Sequence, residues 1–249
     1  MLAVVQFNPP RGRRDANLTA LAGLAESALA DGAKVVVLPE MAATGYRFPD
    51  AAAVAPLAEP ARGGPTEAAF APLAARFEAQ VVVGFPEADG GRLFNSALVI
   101  GPDGRTLAVY RKRLLYDDDH TWAAAGDLPY PRFDTPYGPA TVGICMDING
   151  REFTDHVRRT RPEIVCFPTN WIDQGLEIHE YWAWRLRGWG GTLLAADRWG
   201  GEDGVGFWGR SAILRGGRVL VSAPATGDGY AGARTVWVPL RPPGGPGAV

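Results

Sequence analysis

Apolar and polar positions alternate in blocks along this chain. Leu2 to Phe7 is apolar except at Gln6 and closes on Asn8-Pro9-Pro10, the pattern of a buried strand. From Asp15 to Ala30 alanine and leucine recur at helical spacing, with Asp15 or Asn17 as the expected N-cap and Asp31-Gly32 as the stop. Val35 to Leu38 is the next strand, which makes the opening a β-α-β unit. The pattern recurs with Glu67 to Glu78 as helix and Val81 to Phe85 as strand. Leu93 to Ile100 and Arg105 to Tyr110 flank Gly101-Pro102-Asp103-Gly104, a hairpin signal. Arg113 to Pro139 shows little periodicity and reads as a long functional loop. Ala140 to Cys145 and Ile164 to Phe167 are strands, with a short helix near Phe153 to Arg159 between them. A helix over Ile178 to Arg187 and a strand over Thr192 to Ala196 follow, and Ser211 to Leu214 pairs with Arg218 to Val221 in a final hairpin. Arg241 to Val249 is rich in proline and glycine and reads as a loose tail. Ten or so strands with interspersed helices predict an α/β fold, with more hairpins than a plain doubly wound sheet.

Composition narrows the class. At 249 residues, 47% of them apolar, the chain has enough material for one large domain with a substantial core. Its formal net charge is −2, and its basic clusters are short, Arg11-Gly12-Arg13-Arg14 among them, which argues against a nucleic-acid or anionic-membrane partner. Apolar runs stay well short of the roughly 18 to 20 residues that span a bilayer. Two cysteines, on different predicted strands, do not make a disulfide framework, so a cytoplasmic setting is expected.

Three of the apolar runs end on reactive groups. Val35-Val36-Val37-Leu38-Pro39 leads to Glu40, Leu107-Ala108-Val109-Tyr110-Arg111 to Lys112, and Val142-Gly143-Ile144 to Cys145. A strand end is a rigid mount for such a group. A cysteine attacks as thiolate, yet a free thiol has a pKa of about 8.5, so it needs a base or a cation beside it. A carboxylate can take the proton. An ammonium can favour the thiolate and stabilise an oxyanion as a trigonal carbon becomes tetrahedral. An active nucleophile of this kind is expected to have a depressed pKa and to alkylate much faster than Cys166, whose setting, Val165-Cys166-Phe167, reads as core packing. Taken singly, Cys145 also fits packing, Glu40 the start of a loop, and Lys112 a solvated basic turn.

The strings Leu38-Pro39-Glu40, Tyr110-Arg111-Lys112 and Gly143-Ile144-Cys145-Met146-Asp147, in this order, resemble the three signature segments of the nitrilase superfamily of carbon–nitrogen hydrolases. Asn95-Ser96, Glu152 and Phe167-Pro168-Thr169-Asn170-Trp171 also fall where that family has similar residues. The resemblance implies a four-layer α-β-β-α sandwich over residues 1–240, followed by a tail over 241–249. It implies Glu40 as general base, Lys112 as transition-state stabiliser, Cys145 as nucleophile, and the Met146 backbone N–H as second oxyanion donor. No metal or organic cofactor is implied, and many members form homodimers.

Relatives often carry a glutamate in the loop after the lysine that positions substrate; seven residues after Lys112 stands Asp119, a shorter acid, with Asp118 and His120 as rivals. Tyr46, Asn170 and Trp171 are further candidates for positioning substrate. Trp122 and Trp199 fall in segments that also reach toward a pocket. Two departures concern its wall. In Trp184-Arg185-Leu186-Arg187-Gly188 only Arg185 corresponds to the family pattern, and Asp197 occupies a common asparagine position. The expected activity is cleavage of a small amide or N-carbamoyl compound through a thioester. Nitrile hydrolysis, acyl transfer to an acceptor other than water, and a non-catalytic binding or scaffold role fit the same residues.

Overall fold

A computed structural model describes residues 1–234, so both the boundary expected at 240 and the tail expected over 241–249 lie outside the described residues. In chain order the elements are β1 (Leu2–Gln6), α1 (Arg14–Ala30), β2 (Val35–Val37), α2 (Ala51–Val54), α3 (Pro65–Phe77), β3 (Gln80–Asp89), β4 (Arg92–Ile100) and β5 (Thr106–Arg111). They continue with β6 (Phe133–Thr135), β7 (Gly138–Val142), α4 (Arg151–Thr160), β8 (Ile164–Thr169), α5 (Ile178–Arg185), β9 (Thr192–Asp197), β10 (Trp199–Glu202), β11 (Val205–Trp208), β12 (Ala212–Arg215), β13 (Arg218–Ser222) and β14 (Gly229–Ala233).

Two six-stranded mixed sheets carry the fold, in the orders β14-β1-β2-β3-β4-β5 and β13-β12-β9-β8-β7-β6, and β10 pairs with β11 as a separate ribbon. Alternation along the strands explains the layers. In the first sheet Leu2, Val4, Val35, Val37, Val82 and Val99 join one core with residues of the second sheet such as Ala140, Val142, Ile164 and Leu194. Their sequence neighbours Ala3, Val5, Val36, Val81, Val83 and Leu98 face outward onto Leu18, Leu21 and Ala25 of α1 and Phe70 and Ala74 of α3. On the second sheet Phe167 meets Trp182 of α5 edge-on at 5.6 Å, and Phe153 and Val157 of α4 join the same core. The result is the expected α-β-β-α sandwich.

Several elements differ from their sequence patterns. The helix α1 is not capped by Asp15 or Asn17: Arg13 stands at the cap without a side-chain bond, and the buried Asn17 amide instead donates to the Pro10 and Ala43 carbonyls. Its side chain serves tertiary structure, which periodicity does not encode. There are fourteen strands among the described residues rather than ten or so. The segment 113–139 is not one loop, because β6 pairs with β7 across Pro136-Tyr137. The hairpin at β12 and β13 is not the last element, since β14 returns to pair antiparallel with β1. Finally, β7 ends at Val142, and Cys145 lies three residues beyond it, where a 3-10 turn (Cys145–Asn149) begins.

Candidate active site

Glu40, Lys112 and Cys145 leave three different strands and converge, and a fourth side chain joins them. Lys112 follows β5 directly, its backbone pinned on both sides by Lys112 N–H to the Asn95 carbonyl at 2.8 Å and Gly126 N–H to its own carbonyl at 2.8 Å. Its ammonium donates to Glu40 Oε1 at 2.7 Å and to Asp119 Oδ2 at 2.6 Å, and all three side chains are fully buried. Asn95 donates from one amide nitrogen to both acids, at 2.7 Å to Glu40 and 3.1 Å to Asp119. The second oxygen of Glu40 accepts the Asn170 backbone N–H at 2.9 Å.

The loop bearing Glu40 lies against β3 because residue 84 is glycine: a Cβ there would sit 2.5 Å from Glu40 Cα and 2.6 Å from the Pro39 carbonyl oxygen. Burial pushes the Glu40 carboxyl up, and Lys112 opposes that shift. Burial also opposes the charge of Lys112, but Asp119 and Glu40 outweigh it and hold the ammonium pKa well above the ordinary lysine value.

Cys145 adopts a left-handed backbone, with φ of 42°, where the chain turns from β7 into the 3-10 turn. A non-glycine residue there is strained, and such strain clusters at functional sites. The expected depressed pKa is not what the structure gives. Burial raises the thiol first and Glu40 raises it further, while Lys112 works in the other direction. Burial and Glu40 together thus disfavour the thiolate. Met146, next in the turn, has its N–H in the first turn of a helix, where no intrahelical acceptor exists.

Cys145 opens onto a cavity of about 270 Å³ whose lining includes Tyr46, Met146, Asn170, Trp171 and Tyr181. Tyr46, Asn170, Trp171 and Met146 thus line the cavity, and Asp119 does not. Both Asp119 oxygens are engaged, by Lys112 and Tyr116 N–H on one and Asn95 on the other, and the side chain orients the lysine. Its rivals lie elsewhere: Asp118 pairs with Arg47 at 3.5 Å, and His120 is exposed. Trp122 packs with Tyr46 and Phe48 in a separate cluster, and Trp199 donates to Asp228, so neither lines this cavity. Cys166 is fully buried, and its pKa is raised by burial alone.

Sequence reasoning gave no role to several residues that hold the site. Asp147, buried in the turn after the thiol, accepts four hydrogen bonds: from Arg113 and Leu114 N–H on one oxygen, and from Ile144 N–H and Tyr110 O–H on the other. It therefore ties the residue after Lys112 to the residue before Cys145. Arg185 grips the carbonyls of Ile148 and Asn149 at 2.8 and 2.7 Å, docking α5 on the same turn. Asp197 accepts the Trp171 N–H at 2.9 Å, and burial holds its carboxyl well above the ordinary range. The sequence signal for Asp147 was an acid directly behind an apolar strand end; Arg185 and Asp197 gave none beyond their place in the family pattern.

Known proteins resemble this chain over most of its length. The family model described as carbon-nitrogen hydrolase matches residues 1–234. A protein N-terminal amidase of Schizosaccharomyces pombe is 28% identical, over 84% of this chain and 89% of that protein. A nitrilase of Pyrococcus abyssi is 31% identical, over 85% of this chain and 80% of its own length. Among solved structures, an amidase from Nesterenkonia sp. superposes with a TM-score of 0.79 at 21% identity, covering 92% of this chain and 87% of that one. At that identity the match speaks for the fold.

Proposed function

The chain belongs to the carbon-nitrogen hydrolase family, and on that premise we propose that it hydrolyses a small amide or N-carbamoyl substrate to an acid and ammonia or an amine, with Cys145 as nucleophile. The observation that carries this reading is the buried Glu40–Lys112–Asp119 cluster standing behind a thiol that opens on a cavity. In the first half-reaction Glu40 takes the thiol proton as sulfur attacks the carbonyl carbon, and the carbonyl electron pair moves onto oxygen. An ammonium has three donors. Two of those on Lys112 are held by Glu40 and Asp119, leaving the third, with the Met146 N–H, for the oxyanion. Collapse breaks the C–N bond, and the leaving nitrogen takes the proton from Glu40. Water then attacks the thioester, again giving its proton to Glu40, and the acid leaves as the thiol is restored.

Amides are favoured over nitriles by Asn170, whose side-chain nitrogen and oxygen are both buried without a partner among the described residues. A primary carboxamide offers the matching acceptor and donor, whereas a nitrile has no donor. The proposal extends to a cytoplasmic homodimer. Two free cysteines suit a reducing compartment, and a second copy would cover the exposed Trp184 and Leu220; sedimentation analysis tests the stoichiometry. Among the described residues no helix is long and apolar enough to cross a membrane.

Intact-protein mass measurement during turnover of candidate amides tests the chemistry. A thioester adduct that disappears in Cys145→Ala is expected. An adduct that persists in that variant refutes Cys145 as nucleophile.

A further inference from the structure

The cavity beside Cys145 has no formally charged side chain in its lining. The arginines on the surrounding elements are already committed: Arg185 to the Ile148 and Asn149 carbonyls, Arg113 to Glu152 at 2.8 Å, and Arg47 to Asp118. The polar groups in the wall are largely satisfied by one another. Tyr181 O–H donates to Asn149 Oδ1 at 2.5 Å, and the Asn149 amide nitrogen lies 3.0 Å from the Met146 sulfur. Of the buried polar side-chain atoms in the lining, those of Asn170 alone lack partners among the described residues, and the Asn170 backbone N–H lies near the Cys145 thiol. The rest of the wall is apolar or aromatic, with Trp171 packed against Tyr181 at 5.8 Å and Leu176 and Gln174 exposed at the mouth. Behind the thiol, two carboxylates flank a single ammonium.

Resting on the amide-hydrolase reading, we propose that this site selects uncharged primary amides with a small apolar acyl group. Asn170 pairs with the carboxamide, the Trp171–Tyr181 wall packs the acyl chain, and acyl groups bearing a carboxylate are rejected most strongly. The physical reason is twofold. A charge taken from water into a wall with no counter-charge loses hydration that nothing replaces. A negative charge also meets the excess of carboxylate in the Glu40–Lys112–Asp119 cluster through a poorly screened interior. Size follows from volume: about 270 Å³ matches roughly nine waters at about 30 Å³ each, room for one compact acyl group.

The test is kcat/KM by ammonia release for three amides of matched length: hexanamide, 6-aminohexanamide and 6-amino-6-oxohexanoate. The neutral amide should exceed the anionic one by about a hundredfold or more, the scale on which an uncompensated buried charge discriminates, with the cationic amide between them. Gln174→Arg, which sets a cation at the exposed mouth, should narrow the neutral-to-anionic ratio by about twofold to fivefold, the scale of a solvent-exposed ion pair. Asn170→Ala should lower kcat/KM for all three alike. A charged amide turned over as well as hexanamide, or a ratio unmoved by Gln174→Arg, overturns the selectivity while leaving the hydrolase reading intact. No turnover of any amide, with no adduct on Cys145, overturns both.

Discussion

Removing the charge of Asp147 while keeping its shape should loosen two loops at once. Its second oxygen receives Ile144 N–H at 2.9 Å and Tyr110 O–H at 2.7 Å, and its first receives Arg113 and Leu114 N–H at 3.2 and 2.9 Å. In Asp147→Asn one oxygen becomes an NH2 group. If the remaining oxygen stays on Arg113 and Leu114, the NH2 faces the Ile144 N–H, donor against donor, while the Tyr110 hydroxyl can turn and accept. In the flipped orientation two N–H groups are orphaned instead. At least one buried N–H is therefore left unpaired, which costs about 1–3 kcal/mol. For a chain of this size each kcal/mol lowers Tm by about 2–4 °C. Tyr110→Phe removes one donor and strands no backbone group, so about 1 kcal/mol is expected. Because Ile144 precedes Cys145 and Arg113 follows Lys112, the catalytic effect of Asp147→Asn should exceed its thermal one. A misplacement of about 1 Å can cost about a hundredfold in rate, so kcat should fall about tenfold to a hundredfold with KM little changed. Thermal unfolding and steady-state ammonia release measure both quantities. Wild-type Tm and kcat in Asp147→Asn, or equal damage from Tyr110→Phe, would refute the clamp.

Three other perturbations probe separate parts of the structure. In Gly84→Ala the added methyl must displace Pro39 and Glu40 backbone, so kcat/KM should drop by about a hundredfold or more, read alongside circular dichroism that confirms a folded protein; undiminished activity would mean the Glu40 loop needs no close support. Burial raises the Glu40 carboxyl and the base must be ionised, so kcat/KM should climb with pH through an acid limb lying above the roughly 4.3 of an ordinary glutamate. A limb at or below that value contradicts the buried-base assignment. For Asp197 the folded carboxyl keeps its proton where the unfolded one has lost it. Its stabilising contribution is therefore complete below about pH 3.9 and is lost as pH rises through the folded value. Asp197→Asn should consequently gain Tm relative to wild type between pH 5 and pH 8; a gain that shrinks with pH has the wrong sign.

Much of the fold was legible because its strands are apolar on both faces or alternate cleanly between two cores. Val35, Val36 and Val37 illustrate this, dividing between the inter-sheet core and the helix-facing core. What stayed hidden had weak or misleading local patterns. The strand β14, Gly-Tyr-Ala-Gly-Ala, carries little hydrophobicity and exists because β1 offers a free edge to pair with. The ribbon of β10 and β11 is glycine-rich, and the tip residue Glu202 earns its place by accepting Tyr46 and Arg47 N–H and Arg198 from elsewhere in the chain. At the site, the positions of Glu40, Lys112 and Cys145 were readable from strand ends and from the family resemblance. Asp119 was readable only by counting from Lys112. That it turns toward the lysine and away from the cavity depends on Asn95 and Tyr116, which no local pattern links to it.

The two cysteines show why reactivity in this fold is not a matter of thiol acidity alone. Burial raises the pKa of both, so neither rests as a thiolate. For Cys145 the nearby Glu40 raises it further, which would be a defect if the enzyme needed a preformed anion. With two carboxylates already sharing one ammonium, a third negative charge on sulfur would be poorly compensated until a carbon is present to take the electron pair. In the mechanism proposed above, attack by sulfur would move the charge to the substrate oxygen, where the free donor of Lys112 and the Met146 N–H can meet it, and the proton to Glu40. That mechanism couples proton removal to bond formation. Cys166 has a pKa raised by burial alone and does not line the cavity, so it is expected to stay inert. Alkylation by a small neutral reagent should therefore favour Cys145 strongly, with a rate that follows the ionisation of Glu40; equal, slow labelling of both thiols would remove the base from the mechanism.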